Sequence, residues 1–357
     1  MLTIVLTNRN RELAIVKKCL DSLKQQSDKD FELFLVDYGS NENYLADLKQ
    51  LVQGYPKIKF ISCRVSLQLW NKSRAINIAL KKCRTDFFFV GDIDMLFHTD
   101  FVKTLHQCKS TKTATYFQVG FLSKEETHQN KDFQNSSYSF LSQKEATGMT
   151  LYPTDLLKEI NGYDEFYHGW GAEDTDVHIR LRNLDVEVKF YQEDILLKHQ
   201  WHPKNYRTHQ SKDPFHFQLE KINYSYIQLT QALNKTTVNL NAPWGTVPDQ
   251  NHYLKLSQNP DFLWEISPVK SQINAFMAQL NNSKDQIISL IVKDANSGEK
   301  NKQKLKKVLR KKAIDFLSLK EVNNILLQEI VIHYRNLPYK YFFDTVKKEI
   351  HFTIYFP

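Results

Sequence analysis

The first part of the chain alternates short apolar runs with segments of helical periodicity, and this alternation constrains the fold more than any other feature. The segments between the runs place apolar residues at helical spacing, as Leu13, Val16 and Leu20 do after the first run. Strands that are buried on both faces and separated by helices are typical of a parallel sheet with right-handed crossovers. The sequence therefore predicts an α/β, Rossmann-like fold. The four apolar runs are residues 2–7, 31–37, 57–62 and 86–91.

The remainder of the chain is less regular. Residues 123–145 are polar and aperiodic, which predicts a surface loop. Residues 146–202 are denser, with a helix predicted at 154–160 and another beginning at Glu173. Residues 203–214 are predicted to form a second loop.

We predict two units, a domain at 1–214 with halves at 1–122 and 146–205, and a mostly helical extension at 215–357. The final segment, KKEIHFTIYFP, alternates polar and apolar residues as an edge strand does.

Composition excludes several classes of protein. No apolar stretch reaches the roughly 18 residues that a transmembrane helix needs, and the N-terminus lacks the features of a signal peptide. The four cysteines show neither paired nor metal-binding spacing. We therefore expect a cytoplasmic protein with reduced cysteines. The net charge of +8 is concentrated near residues 300–312, so no nucleic-acid partner is predicted.

Acidic residues follow the fourth predicted strand. Asp92 and Asp94 are two residues apart and would face the same way on an extended chain. Paired carboxylates of this kind suit Mg²⁺ or Mn²⁺ bound to a diphosphate. A surface turn is the alternative interpretation, and this motif alone does not exclude it.

A second cluster combines glycines, an aromatic ring and acids in the segment HGWGAEDTD (168–176). Glycines beside Trp170 let the backbone bend around a ring that can stack on a sugar. Glu173, Asp174 and Asp176 then open a helix, where the helix dipole favours carboxylates. A simple helix cap is the alternative, although three acids in four residues exceed what one cap needs.

A third cluster contains two histidines, His199 and His202, after a strand-like segment. Imidazole is a common ligand of Mn²⁺ and Zn²⁺. An isolated pair of histidines is more often structural or solvated.

Taken together, these motifs resemble the inverting glycosyltransferases of the GT-A fold. The resemblance covers roughly residues 1–205 and is nearest to bacterial family 2 enzymes with a galactosyltransferase-type C-terminal half. The motifs that carry it are RNRE (9–12), Asp37, WNKSRAINIAL (70–80), GDIDML (91–96) and INGYDEFYHGWGAEDTDVHIRL (160–181).

The resemblance implies a role for each matched residue. Asp94, His199 and His202 would bind the metal, Mn²⁺ or Mg²⁺. Trp170 and Glu173 would bind the acceptor, and Asp174 would be the catalytic base. The residues implied to bind the nucleotide donor are Thr7, Arg9, Asp37, Arg74 and Asp92.

The implied activity is transfer of a sugar (Gal, GalNAc, Glc or GlcNAc) from a UDP-sugar to a glycan hydroxyl with inversion, in bacterial surface polysaccharide or lipopolysaccharide synthesis. The acceptor would be a glycan or a lipid-linked glycan. The main alternative is a non-catalytic UDP- or sugar-binding module of the same fold. A nucleotidyltransferase is a weaker alternative, because the chain lacks a Gly-rich, Lys-containing phosphate loop after its first strand.

The extension contains a basic amphipathic segment. Helical spacing over residues 300–317 gathers apolar residues on one face, while lysines and arginines cover the rest. Such a helix can lie on the inner face of an anionic membrane, which would make the enzyme a peripheral membrane protein. The alternative is a helix that packs its apolar face on the protein and exposes its charges. The apolar residues on this face are Leu305, Val308, Leu309, Ala313, Phe316 and Leu317.

Overall fold

The strands and helices of the first part follow the predicted alternation. The computed structural model describes residues 1–129, 131–203, 217–280 and 283–357. Up to the fourth strand the elements in chain order are β1 (Leu2–Asn8), α1 (Leu13–Lys24), β2 (Phe31–Tyr38), α2 (Glu42–Gln53), β3 (Ile58–Cys63), α3 (Lys72–Lys82) and β4 (Phe87–Asp92).

The chain from residue 95 to 203 contains shorter elements. They are β5 (Met95–Phe97), α4 (Phe101–Gln107), β6 (Thr113–Phe117), β7 (Val119–Leu122), α5 (Lys124–His128), β8 (Tyr138–Leu141), β9 (Thr150–Pro153), α6 (Thr154–Glu159), α7 (Glu173–Arg182), β10 (Glu187–Tyr191) and β11 (Leu197–His199).

A seven-stranded sheet forms the centre of residues 1–203, with strand order β10-β6-β9-β4-β1-β2-β3. Its strands are parallel except β9, which is antiparallel to both β4 and β6. Apolar side chains cover one face from α1 and α4 and the other face from α3, α6 and α7. Both faces of the sheet are therefore buried, which explains why its strands are apolar runs in the sequence. The predicted α/β fold class is confirmed.

A second sheet, with order β5-β11-β7-β8, lies beside the first. The predicted loop at 123–145 is wrong in part, because this segment supplies α5 and β8. Ser123 caps α5 by accepting a hydrogen bond from the Glu126 N–H. Phe140 of β8 stacks on Phe121 of β7, with ring centroids 4.6 Å apart. β8 has only four residues and is held by its pairing with β7, so its sequence shows no clear alternation of polar and apolar residues.

The extension is organised around a third sheet. Its elements are α8 (Phe217–Ala232), α9 (Gln250–Lys255), β12 (Phe262–Ile266), α10 (Lys270–Leu280), β13 (Gln286–Lys293), α11 (Ser297–Val308), α12 (Leu319–Glu329), a π-helical turn (Ile330–Tyr334), β14 (Tyr339–Asp344) and β15 (Glu349–Phe356). The sheet order is β12-β13-β15-β14. Helices still supply more residues than strands, but this four-stranded sheet was not predicted from the sequence.

Two further details of the extension differ from the predictions. The final strand, β15, pairs with β13 on one side and β14 on the other, so it is an interior strand and not an edge strand. The amphipathic helix ends at Val308 and does not continue to residue 317. Arg310 has a φ of 55°, a left-handed conformation that a helix cannot contain.

The extension packs directly on the first 203 residues. The Leu67 carbonyl accepts a hydrogen bond from the Tyr341 N–H (2.9 Å), and the Leu69 N–H donates to the Tyr339 hydroxyl (2.9 Å). Within the described ranges no helix is long and apolar enough to cross a membrane. The predicted loop at 203–214, and the predicted boundary after residue 214, fall almost wholly outside the described residues.

Candidate functional site

The candidate site lies where the parallel strands β1, β2 and β4 end. Strand register places Thr7 opposite Asp92 and Asn8 opposite Asp37. Because the carboxyl ends of parallel strands share one edge of the sheet, the polar residues that follow them gather there. Three of the predicted donor residues, Thr7, Asp37 and Asp92, therefore lie on adjacent strands at one edge of the sheet.

Asp37 is buried and held by two neighbours at this edge. Its Oδ2 accepts hydrogen bonds from Asn8 Nδ2 (2.7 Å) and from the Ser40 hydroxyl (2.6 Å). Burial raises the pKa of Asp37, although the hydrogen bonds from Ser40 and Asn8 oppose the rise. Asn8 and Ser40 could not be identified as partners of Asp37 from the sequence, because their contacts depend on the register between β1 and β2.

Arg9 and Tyr38 organise the chain around the site. The Arg9 guanidinium donates to the Ser66 and Gln68 carbonyls, at 2.6 and 2.9 Å, and so fixes the loop that precedes α3. Tyr38 is buried and packs edge-on against Trp70, with ring centroids 6.2 Å apart.

Asp94, His199 and His202 come together as a triad. Each offers one ligand atom, and these atoms lie within 4.8 Å of one another. His199 Nε2 is 3.6 Å from Asp94 Oδ1, and His202 Nε2 is 3.3 Å from Asp94 Oδ2. The antiparallel pairing of β5 with β11 explains this proximity, since it sets His199 opposite Met95, the residue after Asp94.

The environment of Asp94 suits a cation. Burial alone would raise the pKa of Asp94, but His199, His202 and Arg11 outweigh burial and lower it, so the group is a carboxylate. Arg11 lies 3.1 Å from Asp94 Oδ2. Asp94 Oδ1 is buried without a hydrogen-bond donor in the described part of the chain, which is costly unless another partner is bound. One carboxylate and two imidazoles form a donor set that fits a divalent metal ion.

The loop before α7 presents an aromatic ring. Gly169, Gly171 and Ala172 all have positive φ angles, of 75°, 96° and 79°. This turn leaves the Trp170 side chain 44% exposed, more than any of the other four tryptophans. Asn223 of α8 donates to the His168 and Gly171 carbonyls, at 2.9 and 3.1 Å, and so supports the turn from the extension.

A lysine that the sequence analysis did not identify lies among three acids. Lys72 Nζ is 3.1 Å from Asp92 Oδ1, 3.1 Å from Asp174 Oδ2 and 3.3 Å from Glu173 Oε1. Asn71 caps α3 by accepting from the Arg74 N–H, so Lys72 is the first residue of that helix. The N-termini of α3 and α7 thus meet at the end of β4.

Asp174 has an unusual environment within this cluster. Burial raises the pKa of Asp174 to about 8; the Lys72 ammonium opposes the rise, while Glu173 and Asp92 add to it. Asp174 Oδ1 is buried and has no hydrogen-bond partner among the described residues. A Cβ at Gly148 would lie 3.3 Å from Asp174 Oδ2, a tight contact that would crowd the carboxylate.

Asp176, the third acid of the segment HGWGAEDTD, is separate from the site. It is completely buried, where Oδ2 accepts from Arg180 Nε (2.7 Å) and Oδ1 accepts from the Tyr167 and Thr230 hydroxyls. The three acids therefore divide, with Glu173 and Asp174 beside Lys72 and Asp176 in the core.

Arg74, one of the predicted donor residues, is buried among protein groups. Its Nε donates to Glu165 Oε2 (2.7 Å), and its other nitrogens donate to the Arg335 carbonyl and the Asn336 side chain. The structure thus commits the Arg74 guanidinium to the contact between α3 and the extension.

Residues 3–202 are similar to two known families. Residues 3–152 match the model described as glycosyl transferase family 2. Residues 127–202 match the model described as N-terminal domain of galactosyltransferase. The two matches overlap and together span the sheet edge and both clusters of the site, and they confirm the resemblance inferred from the motifs.

Individual relatives are distant. A teichoic acid poly(glycerol phosphate) polymerase of Staphylococcus epidermidis is 34% identical over 94 residues, which are 26% of this chain and 12% of the polymerase. The match thus spans about an eighth of that relative. A crystal structure of residues 1–349 of S. aureus TarS has a TM-score of 0.47 at 13% identity, covering 67% of this chain and 66% of that chain. GalNAc-T7 with UDP, GalNAc and Mn²⁺ has a TM-score of 0.45 at 12% identity, covering 66% of this chain and 55% of that chain.

Proposed function

We propose that the protein is an inverting glycosyltransferase that uses a UDP-sugar, because matches to two glycosyltransferase family models together cover residues 3–202. One observation carries the proposal. The buried carboxylate of Asp174 lies beside Lys72 and Asp92, and two residues beyond Asp92 the chain reaches the triad of Asp94, His199 and His202. A potential base and a potential metal site therefore meet at the edge where α/β sheets bind ligands.

The donor would occupy the ends of β1 and β2. Asp37 would accept a hydrogen bond from the uracil ring, and Thr7 and Arg9 would line the same pocket. Asp92 would lie near the ribose. Arg9 and Arg74 are the least supported members of this set, since both guanidiniums already have protein partners.

A divalent metal ion would be held by Asp94, His199 and His202. Imidazole ligands favour Mn²⁺ over Mg²⁺, which prefers an all-oxygen shell. When bound, such an ion would neutralise charge on the diphosphate of the donor. The orphaned Asp94 Oδ1 is the observation that supports this assignment.

Asp174 would be the catalytic base. It would take the proton of an acceptor hydroxyl while the oxygen attacks the anomeric carbon from the face opposite the diphosphate. The bond to the leaving oxygen breaks as the new glycosidic bond forms, UDP departs and the configuration inverts. The free Oδ1 of Asp174 supports this role, since Oδ2 is held by Lys72.

The acceptor would lie against Trp170 and Glu173. A half-exposed indole beside carboxylates suits a glycan, because sugar rings present an apolar face and a rim of hydroxyls. We propose a glycan or a lipid-linked glycan of the bacterial cell surface, with the reaction in the cytoplasm and Gal, GalNAc, Glc or GlcNAc as the transferred sugar. Residues 1–214 would be the catalytic domain, and 215–357 would support its acceptor loop through Asn223.

The experiment that tests the proposal is UDP release from a panel of UDP-sugars, with Mn²⁺ or with EDTA. The variants are Asp94→Ala and Asp174→Asn, and the matched control is Asp47→Asn, an exposed carboxylate on α2. We expect turnover of one donor that needs Mn²⁺, is lost in both site variants and is kept in the control. Tight binding of UDP without turnover of any donor in the presence of broad acceptor mixtures would instead identify a binding module.

A further inference from the structure

Helix α11 turns its apolar side to solvent. Leu305, Val308 and the following Leu309 are 60%, 78% and 56% exposed. The buried residue of the helix is Gln303, whose side-chain oxygen accepts from the Ile314 N–H (3.0 Å). On a helix Gln303 lies nearly opposite these three residues, so the polar side faces the protein. A helix that only covered a core would be oriented the other way.

Basic residues surround this apolar stripe. Residues 297–312 contain eight lysines and arginines and one acid. Lys300 pairs with Asp294 and Lys307 with Asp315, whereas the described part of the chain offers no ion pair to Lys302 or Lys304. At 100° per residue, Lys302 and Lys304 fall on opposite flanks of the stripe.

The chain that follows α11 is fixed to the body of the extension. The Lys270 N–H donates to the Asp315 carbonyl (2.9 Å), and the Leu317 N–H donates to the Pro268 carbonyl (2.8 Å). A bridge also pairs Phe316 with Val269. The exposed stripe is therefore held in place at the surface.

We propose that α11 docks the protein on the surface of an anionic membrane. The helix would lie in the plane of the headgroups, with Leu305, Val308 and Leu309 inserted among the acyl chains and Lys302 and Lys304 at the phosphates. Exposed apolar side chains flanked by long cationic ones are the arrangement that such helices use.

Other occupants fit the surface less well. A second copy of the chain would bring two sets of eight basic residues face to face. A soluble polyanion would satisfy the charges and leave the apolar stripe in water. An anionic bilayer satisfies both, because it combines negative headgroups with an apolar interior.

Vesicle sedimentation of the full chain tests the proposal. The probes are phosphatidylcholine vesicles with and without phosphatidylglycerol. The apolar variant is Leu305→Ser/Val308→Ser/Leu309→Ser, with Leu240→Ser/Val346→Ser, two highly exposed residues elsewhere, as its control. The charge variant is Lys302→Gln/Lys304→Gln, with the exposed pair Lys49→Gln/Lys57→Gln as its control.

We expect the wild type and both controls to bind only the anionic vesicles, and each variant to lose about tenfold or more in affinity. Melting temperatures should be unchanged, since all these side chains are exposed. Three results would overturn the proposal: no binding of the wild type to anionic vesicles, an apolar variant that binds as well as the wild type, or binding of soluble polyphosphate in place of vesicles. None of these readouts requires the proposed transferase activity, so the two proposals can fail separately.

Discussion

Lys72 Nζ lies 3.1 Å from Asp174 Oδ2, at a point where the first turns of two helices meet. The same ammonium contacts Asp92 and Glu173, so one cation serves three carboxylates. The buried cluster carries more negative than positive charge when all its groups are ionised. This excess of negative charge adds to burial in holding the pKa of Asp174 at about 8. The pKa of the proposed base therefore depends on Lys72, a residue that takes no part in proton transfer.

The pH dependence of turnover should report this link. A base works only when it is ionised, so kcat/KM of the wild type should rise with pH through about 8. Lys72→Met removes the charge that lowers the pKa of Asp174, so the rising limb should move to higher pH by about one unit or more. Lys72→Arg keeps the charge and should restore most of the profile. A uniform loss of rate with an unshifted limb would show that Lys72 is only structural.

The raised pKa of Asp174 should also make the stability of the protein depend on pH. The pKa of Asp174 is raised from 3.8 to about 8, so the folded state binds its proton more tightly than the unfolded state. This contribution to stability is complete below pH 3.8 and is lost as pH rises through about 8. Asp174→Asn cannot ionise and should be more stable than the wild type above pH 8, by about 1 kcal/mol or more. The difference should shrink toward pH 4 in thermal melts across this range.

Metal binding should depend on the triad. Asp94→Ala and His202→Gln should each weaken Mn²⁺ binding by about tenfold or more, because each removes one ligand from a set of three. Electron paramagnetic resonance of free Mn²⁺ measures this directly and needs no turnover. His333→Gln, an exposed histidine of the extension, is the matched control. Equal affinity in the triad variants and the control would place the metal elsewhere.

The Asp176–Arg180 pair should matter for folding. Both side chains are completely inaccessible, and Arg180 also donates to the Ile160 and Gly162 carbonyls. Asp176→Ala leaves a buried cation without its partner, so the free energy of unfolding should fall by about 3–5 kcal/mol. Urea denaturation measures the change, and Asp47→Ala, an exposed residue on α2, is the control. Folded Asp176→Ala protein with full stability and no activity would move this residue into the site.

Substitution of Arg74 should show whether this residue supports the fold or binds the donor. Its guanidinium joins Glu165 to the Arg335 carbonyl and the Asn336 side chain. Arg74→Met should therefore lower the melting temperature by several degrees, and the KM for the donor should change by less than about twofold. A large rise in the donor KM with little loss of stability would restore the role that the family resemblance implies.

The sequence predicted the sheet where the pattern was local. The runs that became β1 to β4 are short but mostly apolar, and the helices between them carry a clear period. By contrast, β9 has four residues and depends on β4 and β6 for its pairing. The sheet of the extension was not predicted, although β13 and β15 have eight residues each, because the pattern of a strand does not show which strands it pairs with.

Some residues of the candidate site could likewise be identified from the sequence, and others could not. Asp94, His199 and His202 could be assigned to one site through the family resemblance, and the structure brings them together. Lys72 could not, because its contact with Asp174 joins residues 102 positions apart. Arg11 stood in a motif already noted, but its ion pair with Asp94 depends on how the chain leaves β1. Long-range contacts between charged side chains leave no periodic signal in a sequence.

Leu69 belongs to an apolar core whose other buried members all come from the extension. Conversely, Tyr253, Leu256 and Tyr355 of the extension complete the core beneath α3. A shortened form that ends at residue 214 would uncover both surfaces at once, and it should aggregate instead of yielding a smaller active enzyme. The two halves of the chain are thus expected to melt as one cooperative unit, and expression of either half alone is a poor route to crystals.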